Sequence, residues 1–255
     1  MQYIFLSHDV DWRFEGPSKE HILARKDRFA NEYQNLLETE NLYYNFPEIM
    51  DIENDLGVKS TFFFRTIYEN GNYLDYENEI SSLIKGGWEI ALHLDPSSVN
   101  NFEKIKDEKI KLEKLTKTKI LGNRVHYLKH DKKLFEKLNT LDFLYDSSIK
   151  HSKEEIVQKD MGFSKKNGIY EFPITWMDAY LFTYMQISEN NLINIFQDTL
   201  NFSKSLGGDN FLTLLWHDNV LKMKGGRMYR NILEFLVSQD DVKVLRGLDI
   251  VNMLK

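Results

Sequence analysis

The sequence predicts an α/β fold, a distorted (β/α) barrel of about seven or eight parallel strands, formed as one domain over residues 1–255. Three observations predict it. Short apolar runs of strand length recur between longer amphipathic or charged stretches, the alternation expected of β/α units around a parallel sheet. A chain of 255 residues is long enough for such a barrel to enclose a large core. A hydrophobic fraction of 42% with only 4 Pro and 13 Gly leaves little material for a disordered linker.

Taken in order, strands are expected near Tyr3–Leu6, Ser60–Phe64, Glu89–Leu92, Ile120–Val125, Phe143–Tyr145, Tyr170–Pro173, Phe211–Trp216 and Val242–Val244. The first is followed by Arg13–Asn54, a polar stretch longer than a crossover needs, which predicts a helical insertion beside the active site. Phe62-Phe63-Phe64 reads as a strand buried on both faces. Apolar residues at helical spacing predict covering helices over Lys104–Leu115 and Leu192–Leu206. Glu and Asp interleave the lysines of Lys104–Lys119, so that face is solvated rather than built for nucleic acid. Gly207-Gly208 and Gly225-Gly226 read as turns, since neither has the helix and downstream Lys of a phosphate loop.

Charge and composition exclude several partners. The formal charge of −6 is spread along the chain, so no basic stripe fits nucleic acid and no polybasic patch fits an anionic membrane. With no cysteine, thiol chemistry is excluded and any metal must be held by His, Asp or Glu. No apolar run reaches the roughly 18 residues of a membrane span. Gln2–Leu6 is too short for a signal peptide, so a cytoplasmic location is expected.

Several predicted strands end in residues capable of chemistry: Ser7-His8-Asp9, His93, Arg124 and His126, Asp146, and His217-Asp218. In a β/α barrel the strand C-terminal ends share one face, so these residues are expected to converge. Asp9 and Asp11 are two apart, and in a continuing strand both would point the same way. Taken singly, each of these residues fits a strand cap or a core histidine equally well.

In this order, however, the segments resemble the NodB-like polysaccharide deacetylase family, related to carbohydrate esterase family 4, over nearly the whole chain. Ser7-His8-Asp9-Val10-Asp11 is similar to its first motif and Lys59-Ser60-Thr61-Phe62-Phe63-Phe64 to its aromatic second strand. Gly87-Trp88-Glu89-Ile90-Ala91-Leu92-His93 resembles the second motif and Arg124-Val125-His126-Tyr127 the third. Asp146-Ser147-Ser148 and Leu215-Trp216-His217 resemble the fourth and fifth. The resemblance implies a metal-dependent carbohydrate N-deacetylase with Asp9 as general base, His217 as general acid, and Asp11 and His93 as ligands of a divalent metal, zinc foremost. It further implies an amino-sugar nucleotide or a glycan as substrate, in surface-glycan biosynthesis.

The sequence also departs from the family pattern. A second histidine normally follows the first by four residues, and Ser97 stands there. His126 occupies a position usually held by proline and is the candidate replacement ligand, with Asp95 and His8 as alternatives. Arg124 is expected to orient Asp9 through a bidentate pair, with Asp146 holding Arg124 in turn. Tyr127, Asp146, Trp176, Asp178 and Trp216 are expected on the substrate side of the rim, with Trp12 among the aromatic residues placed for sugar stacking. Two other functions fit the same residues: hydrolysis of a non-sugar amide, and a carbohydrate-binding protein that has lost catalysis.

Overall fold

The computed structural model describes residues 1–131 and 133–255. Among the described residues ten strands form one sheet: β1 (Gln2–Val10), β2 (Thr61–Phe64), β3 (Glu89–Leu94), β4 (Gly122–Val125), β5 (Tyr145–Asp146), β6 (Ser164–Lys166), β7 (Ile169–Glu171), β8 (Trp176–Met177), β9 (Asn210–Leu215) and β10 (Val242–Leu245). Around the curl the order is β6-β7-β5-β4-β3-β2-β1-β9-β8, with β10 also on β1. Every ladder is parallel except the hairpin β6–β7. The eight predicted strand segments are present. Two very short strands, β6 and β8, were not among them.

The barrel is distorted in a definable way. Among the described residues no ladder joins β7 to β8; instead the extended run between them passes from one edge of the sheet to the other. Phe172 N still donates to Asp146 O beside β5 at 2.9 Å, whereas Thr175 N already donates to Thr213 O of β9 at 3.0 Å. At the other side of the ring β1 serves two neighbours along one edge. Its first half, Gln2–Phe5, pairs with Val242–Leu245, and its second half, Ser7–Val10, with Thr61–Phe64.

The two-residue period of these strands sorts the side chains. In β1, Ile4, Leu6 and Val10 belong to the large cluster under the helices, together with Phe62, Phe64, Leu92, Leu94, Leu212, Leu214 and Trp216. Tyr3 and Phe5 face the barrel interior with Phe63, Ala91, Tyr145, Phe172 and Phe211. Phe62, Phe63 and Phe64 are all buried, each worth about 2 kcal/mol by the area it removes from water. Tyr145 lies across Gly122, where an added Cβ would fall 2.1 Å from its ring.

Nine α-helices are found among the described residues: α1 (Lys19–Leu23), α2 (Phe46–Asp55), α3 (Glu77–Lys85), α4 (Phe102–Thr116), α5 (Leu134–Thr140), α6 (Asp178–Thr183), α7 (Leu192–Ser205), α8 (Tyr229–Val237) and α9 (Gly247–Met253). The predicted helices correspond to α4 and α7. The side chain of Asn101 caps α4 by accepting from Lys104 N at 3.2 Å, and Lys117 ends it in the left-handed region at φ 55°. Beyond α7, Gly207 and Gly208 both take positive φ, as turn residues do. The insertion after β1 contains α1, two 3₁₀ turns and α2, and has its own small core of Ile22, Phe29, Leu37, Leu42 and Tyr43. No helix among the described residues is long and apolar enough to cross a membrane.

Candidate active site

Interior parity carries Ser7 and Asp9 up β1 in line with Tyr3 and Phe5, and Asp11 follows just past the strand end. The same rule brings His93 to the interior end of β3, two residues beyond Ala91, and Arg124 to that of β4, where its guanidinium lies 4.2 Å over the ring of Phe63. Parallel register lines these ends up, with His93 opposite Arg124 across β3 and β4. His217 comes just beyond the end of β9.

Arg124 is fully buried, which is costly for a cation unless its donors are met. Four of its five N–H groups are met: Nη1 donates to Asp9 Oδ1 at 2.7 Å and Ser7 Oγ at 3.0 Å, while Nε and Nη2 reach Ser147 O at 2.8 Å and Ser147 Oγ at 2.9 Å. The contact with Asp9 is therefore through one nitrogen, not the bidentate pair expected. Asp146 does not hold Arg124; its carboxylate accepts from Asn123 and from Ser148 N and Oγ. The register explains the difference, since Asn123 faces Asp146 across β4 and β5 and leaves Arg124 opposite Ser147.

Around Asp11 three donor atoms crowd together. Oδ1 of Asp11 lies 3.1 Å from His93 Nε2 and 3.1 Å from His126 Nδ1, and those two nitrogens are 3.1 Å apart. His93 Nδ1 donates to the carbonyl of Arg124 at 3.0 Å, so in neutral His93 the proton is on Nδ1 and the Nε2 lone pair points at the Asp11 oxygen. Two lone pairs facing each other at that distance repel unless a cation stands between them. The ligand atoms of Asp11, His93 and His126 all lie within 4.8 Å of one another, and a carboxylate with two imidazoles is a donor set that a divalent ion accepts. Burial pulls the Asp11 carboxyl upward, but hydrogen bonds from His126 and His93 whenever their facing nitrogens carry a proton, with the charge of His217, hold it well below the usual range, and burial pushes His126 below that of free imidazole. Both shifts keep the donors in the form a metal binds.

Two further carboxylate and imidazole groups flank this centre. Asp9 Oδ2 is 3.6 Å from His93 Nε2. His217 Nε2 is 3.5 Å from Asp11 Oδ2, and Asp9, Asp11 and His217 form a second close donor group. His217 Nδ1 donates to Asp178 Oδ1 at 2.6 Å, and its backbone N donates to Asp178 Oδ2 at 3.0 Å. Burial disfavours a charged His217, but the Asp178 carboxylate outweighs it, with Asp11 and Asp9 adding, and the pKa rises to about 10.

The structure corrects several expected positions. His8 has the opposite parity to Asp9 and faces α2 and α8, where its Nε2 meets Glu53 of α2 at 2.8 Å and Tyr229 of α8 at 3.0 Å, so it is no ligand. Asp95 is engaged by Ser97 N and Arg65, and Ser97 itself is exposed outside the donor cluster. Trp176 and Trp216 are wholly buried under the helices, stacked on Phe196 and bonded to Gly226 O respectively, and cannot touch a substrate. Asp178 is occupied by His217 and acts through it. Tyr127 is 81% exposed, with its ring 3.8 Å from that of His126.

Other residues at the site were given no individual role from sequence, and Arg65 was not named there. Ser7 and Ser147 hold Arg124, and Arg65, at the end of β2, donates to the Asp11 carbonyl at 3.1 Å. The strand-end rule that found His93 applies equally to Arg65. Asp218 is buried, its Oδ1 has no hydrogen-bond partner among the described residues, and burial, followed by the charge of Asp11, raises its pKa well above the usual range. A cleft of about 230 Å³ opens over Asp9, Asp11, His93, His126 and His217, bordered by Tyr180, Tyr184 and Lys153. A second, of about 390 Å³, shares Asp11 and His217 and runs beneath the insertion past Trp12 and Tyr43.

No protein-family model and no curated protein matches the sequence. Solved structures do match the fold. A "putative polysaccharide deacetylase" from Mycobacterium smegmatis superposes with a TM-score of 0.69 at 18% identity, over 99% of this chain and 89% of that one. PuuE allantoinase gives 0.70 at 13% identity over 98% and 89%. BA3943 from Bacillus anthracis, a pseudoenzyme of carbohydrate esterase family 4, gives 0.53 at 10% identity over 98% and 65%. At these identities the likeness is one of fold: across nearly its whole length the chain has the curled, mostly parallel sheet of polysaccharide deacetylases and allantoinase.

Proposed function

We propose that this chain is a metal-dependent hydrolase that removes an N-acyl group, acetyl foremost, from an amino sugar used in surface-glycan biosynthesis. One observation carries the reading. A carboxylate held by Arg124 and an imidazole held by Asp178 flank the donor set of Asp11, His93 and His126 in a single cleft. A divalent ion held by those three residues, zinc foremost, would polarise the acyl carbonyl and lower the pKa of water.

Asp9 then takes the proton of the attacking water, its carboxylate fixed by Arg124 so that only one oxygen is free for the task. As the C–N bond breaks, His217 gives its Nε2 proton to the departing amine, and the products are a carboxylate and a free amino sugar. A histidine with a pKa of about 10 carries that proton throughout the neutral range. Tyr127, Tyr180 and Tyr184 offer aromatic faces at the cleft for a sugar ring.

The pH dependence tests His217 in particular. The alkaline limb of kcat/KM is expected near pH 10, and Asp178→Asn moves it down toward the 6.5 of a free imidazole. The same shift is linked to stability. Because the folded pKa is raised, its contribution is full below about pH 6.5 and is lost as pH rises through about 10. The melting temperature of wild type relative to Asp178→Asn is therefore expected to fall over that window, and a difference that grows with pH contradicts the assignment.

The likeness to PuuE allantoinase, as close as that to the deacetylase, supports a second reading, hydrolysis of a non-sugar amide. Amine release from N-acetylated and N-formylated amino sugars, assayed beside allantoin, separates the two. Release from a sugar that stops on chelation and returns with zinc is the expected result. Turnover of allantoin alone supports the second reading, and zinc binding without turnover of any substrate supports a non-catalytic binder.

A further inference from the structure

Six of the eight arginines lie within ion-pair distance of a carboxylate. Among the described residues Arg25 and Arg28 do not, and both belong to the insertion that covers the second cleft. Arg28 is moreover placed against another cation. Phe29 pairs with Met223 in an antiparallel bridge, and flanking hydrogen bonds run from Lys224 N to Arg28 O at 2.7 Å and from Ala30 N to Lys222 O at 3.1 Å. One step from the bridge, Arg28 and Lys224 therefore face each other directly, and both line the cleft that begins at Asp11 and His217.

Like charges opposed on an antiparallel pair destabilise it. Among the described residues neither side chain has a carboxylate within ion-pair distance: Lys224 Nζ donates to the backbone carbonyl of Asp27, and Glu189 acts on Lys224 only from further off. Arg28 lines the cleft together with His21, and Arg25 Nη1 donates to the carbonyl of His21 at 3.3 Å, so a third cation stands close by. Apart from Asp11 and Asp178 of the active site, Asp27 is the one carboxylate lining the cleft. In a chain of net charge −6, Arg28 and Lys224 against Asp27 leave a local surplus of positive charge in this cleft.

We propose that Arg28 and Lys224 form an anion subsite, and that the substrate is an N-acylated amino sugar carrying a phosphate or diphosphate. The second half of this rests on the deacylase reading above. The guanidinium offers a fork for two phosphate oxygens and the ammonium a compact charge, so a dianion between them relieves the repulsion and is held in a fixed orientation. Trp12 and Tyr43 line the same cleft and offer aromatic surface between its charged groups and the rest of the ligand.

Pyrophosphate titrated into the metal-loaded protein by calorimetry tests the subsite without any turnover. Binding is expected to weaken at least about 10-fold in Arg28→Gln and in Lys224→Gln, and to weaken with added salt. Both side chains are exposed, so the fold is expected to survive, as melting curves would verify. Equal affinity in wild type and both variants overturns the proposal. A second arm compares N-acetylglucosamine as its methyl glycoside, its 1-phosphate and its uridine diphosphate ester. The phosphorylated forms are expected to exceed the glycoside at least about 10-fold in kcat/KM, an advantage that Arg28→Gln removes. Equal rates for the 1-phosphate and the nucleotide mean that phosphate alone is read; a faster nucleotide means that the aromatic surface reads the base as well. Pyrophosphate binding with no hydrolysis of any sugar sinks the deacylase reading and leaves the subsite standing. Hydrolysis at equal rates with and without phosphate, unaffected by Arg28→Gln, sinks the subsite and leaves the deacylase.

Discussion

Replacing Asp9 by Asn is expected to lower kcat by about 10³-fold, in the middle of the range for losing a positioned general base, while zinc content stays at the wild-type level. The amide keeps the shape of the carboxylate and can still accept the 2.7 Å hydrogen bond from Arg124, but it cannot take a proton from water. It also removes the charge that balances a fully buried guanidinium. Breaking a buried pair in this way costs about 3 kcal/mol, softened here by the bonds of Arg124 to Ser147 and Ser7. Rates are therefore to be compared well below the melting temperature, with a denaturant melt of each protein as the control. A variant that keeps a tenth or more of the wild-type kcat would remove Asp9 from the role of base.

Much of this site was legible because strands have a period of two. The alternation that runs from Tyr3 and Phe5 to Asp9 already separates Asp9 from His8, and just past β9 it separates His217 from the buried Trp216. Applying that parity to every rim residue would have moved His8 and Trp216 to the helix side from sequence alone. Apolar content was a poorer guide to strand limits. Phe143 is apolar but belongs to the turn after α5, because Asp142 adopts φ 59° and Phe143 N bonds back to Leu138 O, so β5 begins only at Tyr145. The bond between Asp178 and His217 joins residues 39 apart and depends on how the sheet curls to bring β8 beside β9. No local pattern encodes that curl. The opposition of Arg28 and Lys224 was hidden for the same reason, since it depends on the insertion folding back on the segment after β9.

The electrostatic design follows from the same geometry. Asp9, Asp11 and Asp178 all lie on the interior side within reach of His93, His126 or His217, and only Asp9 has a permanent cation as its partner. Arg124 fixes and aims one carboxylate, while Asp178 keeps one imidazole protonated. Asp11, placed between them, is left for a third positive partner, and the His93 tautomer fixed by the Arg124 carbonyl denies it a proton from that side.

Substituting His126 by Ala is accordingly expected to weaken zinc binding by more than about 10²-fold, the upper end of what loss of a mere outer-shell partner costs. Ser97, the position at which the family pattern would supply a histidine, is exposed and bonded through its backbone N to Asp95, so it cannot compensate. The side chain of His126 is also separable from the rest of the site. No contact of its imidazole supports Asp9, Arg124, Asp178 or His217 directly, so base and acid are expected to stay in place when it is removed. Competition against a chelator of known affinity measures the loss, and activity should return when excess zinc refills the weakened site. Unchanged zinc affinity in His126→Ala would instead leave Asp11 with His93 and His217 as the only neighbouring imidazoles. The ion would then have to share His217 with the acid role, and the alkaline limb expected near pH 10 would disappear together with the free imidazolium that produces it.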